Sequence, residues 1–315
     1  MMINRPDISF VIPMYNEEKV IDKFFKTMEK TLSKLKSYTY EYVCVNDGSK
    51  DKTLAILKKY AQKQNNIKVI SFSRNFHKEQ ALFAGLAEAK GKCIIPMDVD
   101  LQDPPELIGK FLKKWEEGYE VVYGIRTDRT KDSFLKRVTA NMFYKIFNMI
   151  ADTPIPENTG DYRLMDRKVV DAILEIKENR LFMKGIFSWV GFKSCGVEYK
   201  RPQRVAGSTK FNYWKLWNFA LDGITASTTL PLRIWTYIGS IIASISGLYA
   251  LFIIFRTLFM GVAVPGYASL LVSILFFGSV QLIVLGIFGE YLGRIFVEVK
   301  RRPRYIIDEK INCED

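Results

Sequence analysis

Between Ile234 and Gly289 the chain carries a single charged residue, Arg256. Run as one α-helix, this stretch would reach about 84 Å at 1.5 Å per residue. The hydrocarbon core of a bilayer is only about 30 Å thick, so the stretch has to fold back. "IWTYIGSIIASISGLYALFIIF" (234–255) supplies one span and "YASLLVSILFFGSVQLIVLGIFG" (267–289) a second, with "RTLFMGVAVPG" turning between them. Trp235 and Tyr237 suit the membrane interface. Lys210, Lys215 and Arg233 precede the pair of spans, and Arg294, Lys300, Arg301, Arg302 and Arg304 follow it. The bias of basic residues then places both ends in the cytoplasm. "KFNYWKLWNFALDGI" spaces Phe211, Trp214, Trp217 and Leu221 along one helix face. That face either lies in the interface or packs on the preceding domain. The expected divisions are a charged domain at 1–209, a juxtamembrane helix at 210–232, two spans within 233–292, and a basic tail at 293–315.

The net charge of +12 admits nucleic acid, anionic lipid or a phosphorylated substrate as partner. No nucleic-acid motif is present, and "KRRPR" beyond the second span assigns part of the charge to lipid headgroups. Cys44, Cys93, Cys195 and Cys313 form no C-x-x-C pair. A disulfide framework or zinc site has no pattern to rest on, which suits a reducing compartment. The apolar run in "MMINRPDISFVIP" is too short for a signal peptide.

In the first two-thirds, strand-length apolar runs alternate with helical segments. The expected strands are 8–15, 40–47, 67–73, 92–98 and 120–126. The expected helices lie near 17–36, 51–63, 77–90 and 104–118, with Asn16 able to cap the first. Such alternation indicates a mostly parallel sheet covered on both faces, with ligands bound outside the carboxyl ends of the strands. Those ends read "PMYNEE", "VNDGSKD", "SFSRNFHKE" and "MDVDLQD". Each has an ordinary reading: a helix cap, a turn, a solvated Arg74, acidic residues after a strand. Four on one edge make a pocket the better reading. Neither G-x-G-x-x-G nor a Walker A loop occurs, so a nucleotide would not be cradled by a glycine-rich turn. A divalent cation can do that work. It would also explain why a basic chain gathers Asp98, Asp100, Asp103 and Glu106 where a strand meets solvent. Asp98 and Asp100 are two apart and point the same way in extended chain, and their hard oxygens suit Mg²⁺ or Mn²⁺.

Taken together, "VIPMYNEE", "VNDGSKD", "DVDLQDPPE" and "GDYRLMDR" resemble family 2 glycosyltransferases of GT-A fold. "LFMKGIFSWVG", "RVAGSTKFNYWKLWN" and "GEYLGRIFVEVKRRPRYII" resemble the polyprenyl-phosphate branch, closest to bactoprenol glucosyltransferases. The resemblance spans about residues 8 to 307. It implies an α/β, Rossmann-like, mostly parallel sheet with a C-terminal two-helix transmembrane hairpin. It also implies transfer of a sugar, glucose from UDP-glucose being the closest match, onto undecaprenyl phosphate at the bacterial inner membrane. By the same resemblance Pro13, Tyr15, Asn16, Glu17, Asp47, Arg74, Asp98, Val99 and Asp100 hold the nucleotide sugar. Asp98, Asp100 and Gln102 hold the metal, Asp161 lies near the reacting anomeric carbon, and Arg204, with Ser208 and Lys210, meets phosphate. Arg126, Arg129 and Arg137 are either acceptor-phosphate ligands or a solvated basic helix near anionic lipid. Relatives often read "RNFGK" where this chain has "RNFHK", so His77, the only histidine, is read as solvated or helix-capping. Homo-oligomers, tetramers among relatives, are a further implication.

The attacking group would be a phosphate monoester with a second pKa near about 6, mostly ionised at neutral pH. A strong general base is then less necessary, and Asp161 either orients the nucleophile or balances positive charge on the sugar ring. One-step displacement should invert the anomeric centre. A processive polysaccharide synthase would show Q-x-x-R-W and more spans, and this chain has neither. A scaffold without activity sits poorly with Asp98, Asp100 and Asp161, and a lipid-sugar translocator with the lack of intramembrane charge. Mannose, GlcNAc and aminoarabinose donors stay open, because no residue count distinguishes hydroxyl epimers.

Overall fold

The computed structural model describes residues 5–127, 148–149, 153–156, 158–179, 181–200, isolated residues between 237 and 259, and 266–313. The sequence-predicted strands are all present, within a residue or two: β1 (Ile8–Met14), β2 (Tyr40–Asn46), β3 (Ile67–Phe72), β4 (Cys93–Pro96) and β5 (Val121–Arg126). Between them lie α1 (Ile21–Leu32), α2 (Thr53–Lys63), α3 (Lys78–Glu88) and α4 (Ile108–Glu116), the last entered through a 3-10 turn at Pro105–Leu107. The chain continues through β6 (Thr159–Asp166), α5 (Arg167–Leu174), α6 (Met183–Trp189), β7 (Ser194–Tyr199), α7 (Tyr267–Val299) and β8 (Ile307–Ile311).

Among the described residues all eight strands form one sheet in the order β7-β5-β6-β4-β1-β2-β3-β8. The β1, β2, β3 and β4 block is parallel, as is the β5–β7 pair; β6 runs antiparallel to β4 and β5, and β8 antiparallel to β3. Alternation along β1 shows why the sheet is two-sided. Ile8, Phe10, Ile12 and Met14 enter one core with Phe24, Met28 and Phe111, while Val11 enters the other with Val45, Ala84 and Val169. The strands read as continuous apolar runs because both faces are covered.

The direction of β6 matters most for function. Cys93 pairs with Asp166 and Ile94 with Met165. Because the strands run oppositely, the start of β6, with Gly160 and Asp161, reaches the carboxyl end of β4, where Asp98 follows.

The C-terminal residues depart from the sequence reading. The apolar helix does not stop at 289 but runs to Val299, with Glu290 and Arg294 paired at 3.2 Å one turn apart. No proline interrupts it until Pro303. Its segment Phe276–Val299 is long and apolar enough to cross a membrane, with mean hydropathy 1.6. Leu282, Leu285, Phe288, Leu292 and Phe296 are exposed along it. The expected first span and the 210–232 helix fall largely or wholly outside the described residues. Nor is the basic tail only a tail. Ile307–Ile311 closes the edge of β3, with Lys310 bonded to Glu88 at 2.9 Å and Glu309 to Lys58 at 2.6 Å. Tyr305 stacks on Phe72, Arg304 lies over Phe83, and Glu298 accepts from the Asn179 amide at 2.9 Å. The end of α7 is thereby fastened to the sheet domain.

Candidate active site

Three loops at the carboxyl edge are sewn into one unit. Asn16 takes a positive φ of 55°; its amide donates to Ser49 Oγ at 3.0 Å and its Oδ1 accepts from the Lys50 amide at 2.8 Å. Asn16 therefore does not cap α1. That helix begins five residues later, at Ile21 behind Val20, and the asparagine braces the β2–α2 loop instead. Glu17 and Glu18 donate their amides to Thr53 Oγ1 and Asp51 Oδ2 of the same loop. Gly48, at φ +61°, presses on the β3–α3 loop, where an added Cβ would lie 2.3 Å from the Arg74 carbonyl carbon. Asp47 Oδ1 accepts the Phe76 amide at 2.6 Å, and burial raises its pKa. Pro13, Tyr15 and Glu17 are half-buried around this unit and Arg74 is exposed, its guanidinium 4.3 Å from the Phe76 ring centre.

The acidic cluster separates into parts. Val99 and Leu101 are buried, while Asp98 and Asp100 in the same turn stay half-buried. Asp100 Oδ1 accepts the Gln102 amide at 3.1 Å. Asp103 is only 3% exposed and accepts from the Tyr199 hydroxyl at 3.1 Å, and that hydroxyl accepts from Arg126 Nε at 3.1 Å. Glu106 lies exposed in the turn before α4. Two of the four carboxylates thus serve the cleft, and a third anchors Arg126 from behind. Burial works against the Arg126 charge, but Tyr199, Asp103 and Asp98 outweigh it and raise its pKa. Gly160 makes room for this guanidinium, since a Cβ there would sit 2.7 Å from Arg126 Nη2.

Lys78, at the start of α3, joins the two halves of the cleft. Its Nζ lies 2.6 Å from Asp98 Oδ1 and 2.8 Å from Asp161 Oδ2. Burial disfavours the Asp161 charge, but Lys78 and then Lys184 overcome this and hold its carboxyl well below the ordinary range. Partial loss of hydration at the Lys78 ammonium, whose side chain is otherwise exposed, opposes its charge, and Asp161 and Asp98 more than restore it. Glu79 goes the other way: burial, then the Asp161 charge, push it up to about 8. Beneath them Arg163 is buried, 3.8 Å from the Phe187 ring centre, and donates to the Gly160 carbonyl at 2.9 Å.

His77 stands before this lysine with φ 76° and ψ 158°, and its side chain makes no capping bond. That backbone region belongs almost entirely to glycine and costs other residues about 1–3 kcal/mol. The expected capping is therefore positional only. His77→Gly should raise the unfolding temperature and leave turnover within about twofold, checked by thermal unfolding beside an activity assay.

Asp98 and Asp100 could hold a divalent cation with hard oxygens. Gln102 Oε1 nearby is buried and takes no hydrogen bond among the described residues. Among those residues no third carboxylate, histidine or cysteine completes a ligand group. The remaining positions would fall to water and substrate phosphate, as Mg²⁺ and Mn²⁺ prefer. The set fits. Sequence reasoning missed Lys78, Glu79, Arg163 and Tyr199. The "KE" after "RNFH" was the available signal for the first two. Arg129, Arg137, Arg204, Ser208 and Lys210 lie outside the described residues.

Residues 9–174 match the family described as Glycosyl transferase family 2. An uncharacterized glycosyltransferase of Synechocystis is 54% identical over 96% of this chain and 95% of its own length. A prophage bactoprenol glucosyl transferase homolog of Escherichia coli is 53% identical over 95% of this chain and 98% of its own. The bactoprenol glucosyl transferase of Shigella phage SfII is 54% identical over 95% and 97%.

Proposed function

The chain belongs to glycosyl transferase family 2, and on that footing we propose that it moves glucose from UDP-glucose to undecaprenyl phosphate, inverting the anomeric centre. One arrangement carries this reading: a single ammonium spans Asp98 and Asp161, so the carboxylate of the D-x-D segment and that of "GDYRL" line one cleft. The near full-length match to relatives named bactoprenol glucosyl transferase supports the choice of sugar and lipid.

Asp98, Asp100 and Gln102 would hold Mg²⁺ or Mn²⁺, which neutralises negative charge on the leaving diphosphate. Asn16, Glu17 and Asp47 shape the nucleotide end, with Pro13, Tyr15, Arg74 and Val99 around it. Asp161 is held ionised far below neutrality, whereas an efficient base at neutral pH has a pKa near that pH. Its role is to balance positive charge on the sugar ring. The acceptor phosphate arrives already ionised. Arg126, charged and fixed by Tyr199, is placed beside Gly160 to receive it; Arg137, Arg204, Ser208 and Lys210 join it in this proposal. Gly160→Ala should displace the flexible Arg126 tip at little cost in stability. It should raise KM for the lipid phosphate by about tenfold, the loss of one charge-assisted bond, with KM for UDP-glucose nearly unchanged in steady-state kinetics.

The exposed apolar face of α7 and the basic "KRRPR" support a site held at a membrane, in this proposal the cytoplasmic face of the inner membrane, where a lipid-borne acceptor would reach it. A second span, a 210–232 helix on the surface and a homotetramer complete the proposed assembly. Membranes containing the protein, offered a panel of labelled nucleotide sugars, test the substrate. Label from UDP-glucose should enter a polyprenyl phosphate lipid. Label entering only from GDP-mannose, UDP-GlcNAc or UDP-aminoarabinose would replace glucose by that sugar.

A further inference from the structure

Lys78 occupies a place that the reaction needs for something else. Its ammonium lies 2.6 Å from Asp98 Oδ1, on the carboxylate assigned to the divalent cation, and 2.8 Å from Asp161 Oδ2. A unit positive charge and a doubly charged ion do not share one carboxylate oxygen at that distance, because their repulsion stays large even at the intermediate permittivity of a cleft. The surrounding backbone is braced. Phe76 is bonded to Asp47, Gly48 presses on Arg74, and the His77 carbonyl accepts from the amides of Gln80 and Ala81. The freedom lies in the lysine's own four-carbon stem, whose side chain is 45% exposed while that of Asp161 is 21% exposed. A lysine suits such a shift. It is a point charge with three rotatable donors, without the fixed fork that commits arginine to one geometry.

We infer that Lys78 is a stand-in cation: it bridges Asp98 and Asp161 while the cleft is empty, releases Asp98 when a divalent cation enters, and remains on Asp161. It is a positioning residue, and the inference rests on the proposed metal role of Asp98. The ammonium thereby offsets the repulsion between the Asp98 and Asp161 carboxylates, which it touches at 2.6 and 2.8 Å. The bridge also sets a threshold, because the metal ion must displace an internal charge. A nucleoside diphosphate arriving with the cation adds negative charge that draws the freed ammonium inward. Donor and metal would thus bind better together than the metal does alone.

The test is Mn²⁺ binding to full-length protein in detergent micelles without nucleotide, followed by the electron paramagnetic resonance of free Mn²⁺. Lys78→Met removes the competing charge and should tighten Mn²⁺ binding by at least about tenfold. Lys78→Arg, which keeps the charge but not the lysine's freedom to swing away, should bind Mn²⁺ no more tightly than wild type. Lys78→Gln retains hydrogen bonding to both carboxylates and covers the case in which the methionine variant does not fold; it should tighten binding as well. A lysine that only holds the fold together would lower the unfolding temperature when replaced and leave Mn²⁺ affinity unmoved. Equal or weaker affinity in the folded neutral variants overturns this inference alone. An absence of Mn²⁺ binding in every protein overturns it together with the metal assignment.

Discussion

Asp98→Ala and Asp100→Ala should each lower sugar transfer by about a thousandfold or more while the protein still folds and enters the membrane. Removing one preorganised group that stabilises developing charge costs about 10²–10³ in rate in other enzymes, and here each aspartate supplies a full charge. The fold should survive because the neighbours that pack inward are Val99 and Leu101, while both aspartates are only half-buried. In Asp98→Ala the Lys78 ammonium also keeps only Asp161 as partner. The measurement is label passing from UDP-glucose into lipid at matched protein levels in membranes. Turnover near wild type in either variant would remove the metal assignment.

Asp161→Asn should lower kcat by about 10²–10³-fold, with a small effect on KM for the donor. The pH dependence separates the two roles open to this residue. Its carboxyl is held below the ordinary 3.8 by Lys78 and Lys184, which outweigh burial. It therefore gains a proton only well into acid and keeps one charge from pH 6 to 9. The kcat–pH profile over that window should have the same shape in wild type and variant, at a lower level in the variant. Under the proposed reaction, any limb near pH 6 would come from the second ionisation of the lipid phosphate. If an acid limb present in the wild type vanished in the variant, Asp161 would be a proton acceptor, and its assigned role of balancing ring charge would fall.

The parallel half of the fold was legible because its strands are apolar on both faces. "ISFVIPM" and "YEYVCVN" announce themselves without any alternation to interpret. β6 was not read as a strand, since "TGDYRLMD" mixes charge with aromatics and gained attention as a motif. Its antiparallel entry beside β4 brings Asp161 to Asp98, a fact of topology that no local pattern contains. Lys78 and Asp161 are likewise 83 residues apart. The extended-chain reason for pairing Asp98 with Asp100 does not hold, because β4 ends at Pro96 and the D-x-D segment lies in a turn; both aspartates are nonetheless half-buried on either side of the buried Val99. Asp103 and Glu106 looked equivalent to that pair in composition; only packing against Tyr199 drew Asp103 away. Asn16 was misread because an asparagine ahead of a helix resembles a cap, whereas a positive φ turned it toward the next loop. The strand at Ile307–Ile311 was hidden by the basic run before it, which drew the whole C-terminus into a lipid-facing reading.

Metal-assisted departure of UDP with a lipid phosphate in place is the central step of the proposed reaction. Purified protein given UDP-glucose should release UDP only when both a divalent cation and polyprenyl phosphate are present, and chelator should stop it reversibly. Release that continues at an undiminished rate in chelator, with the lipid phosphate supplied, would contradict it.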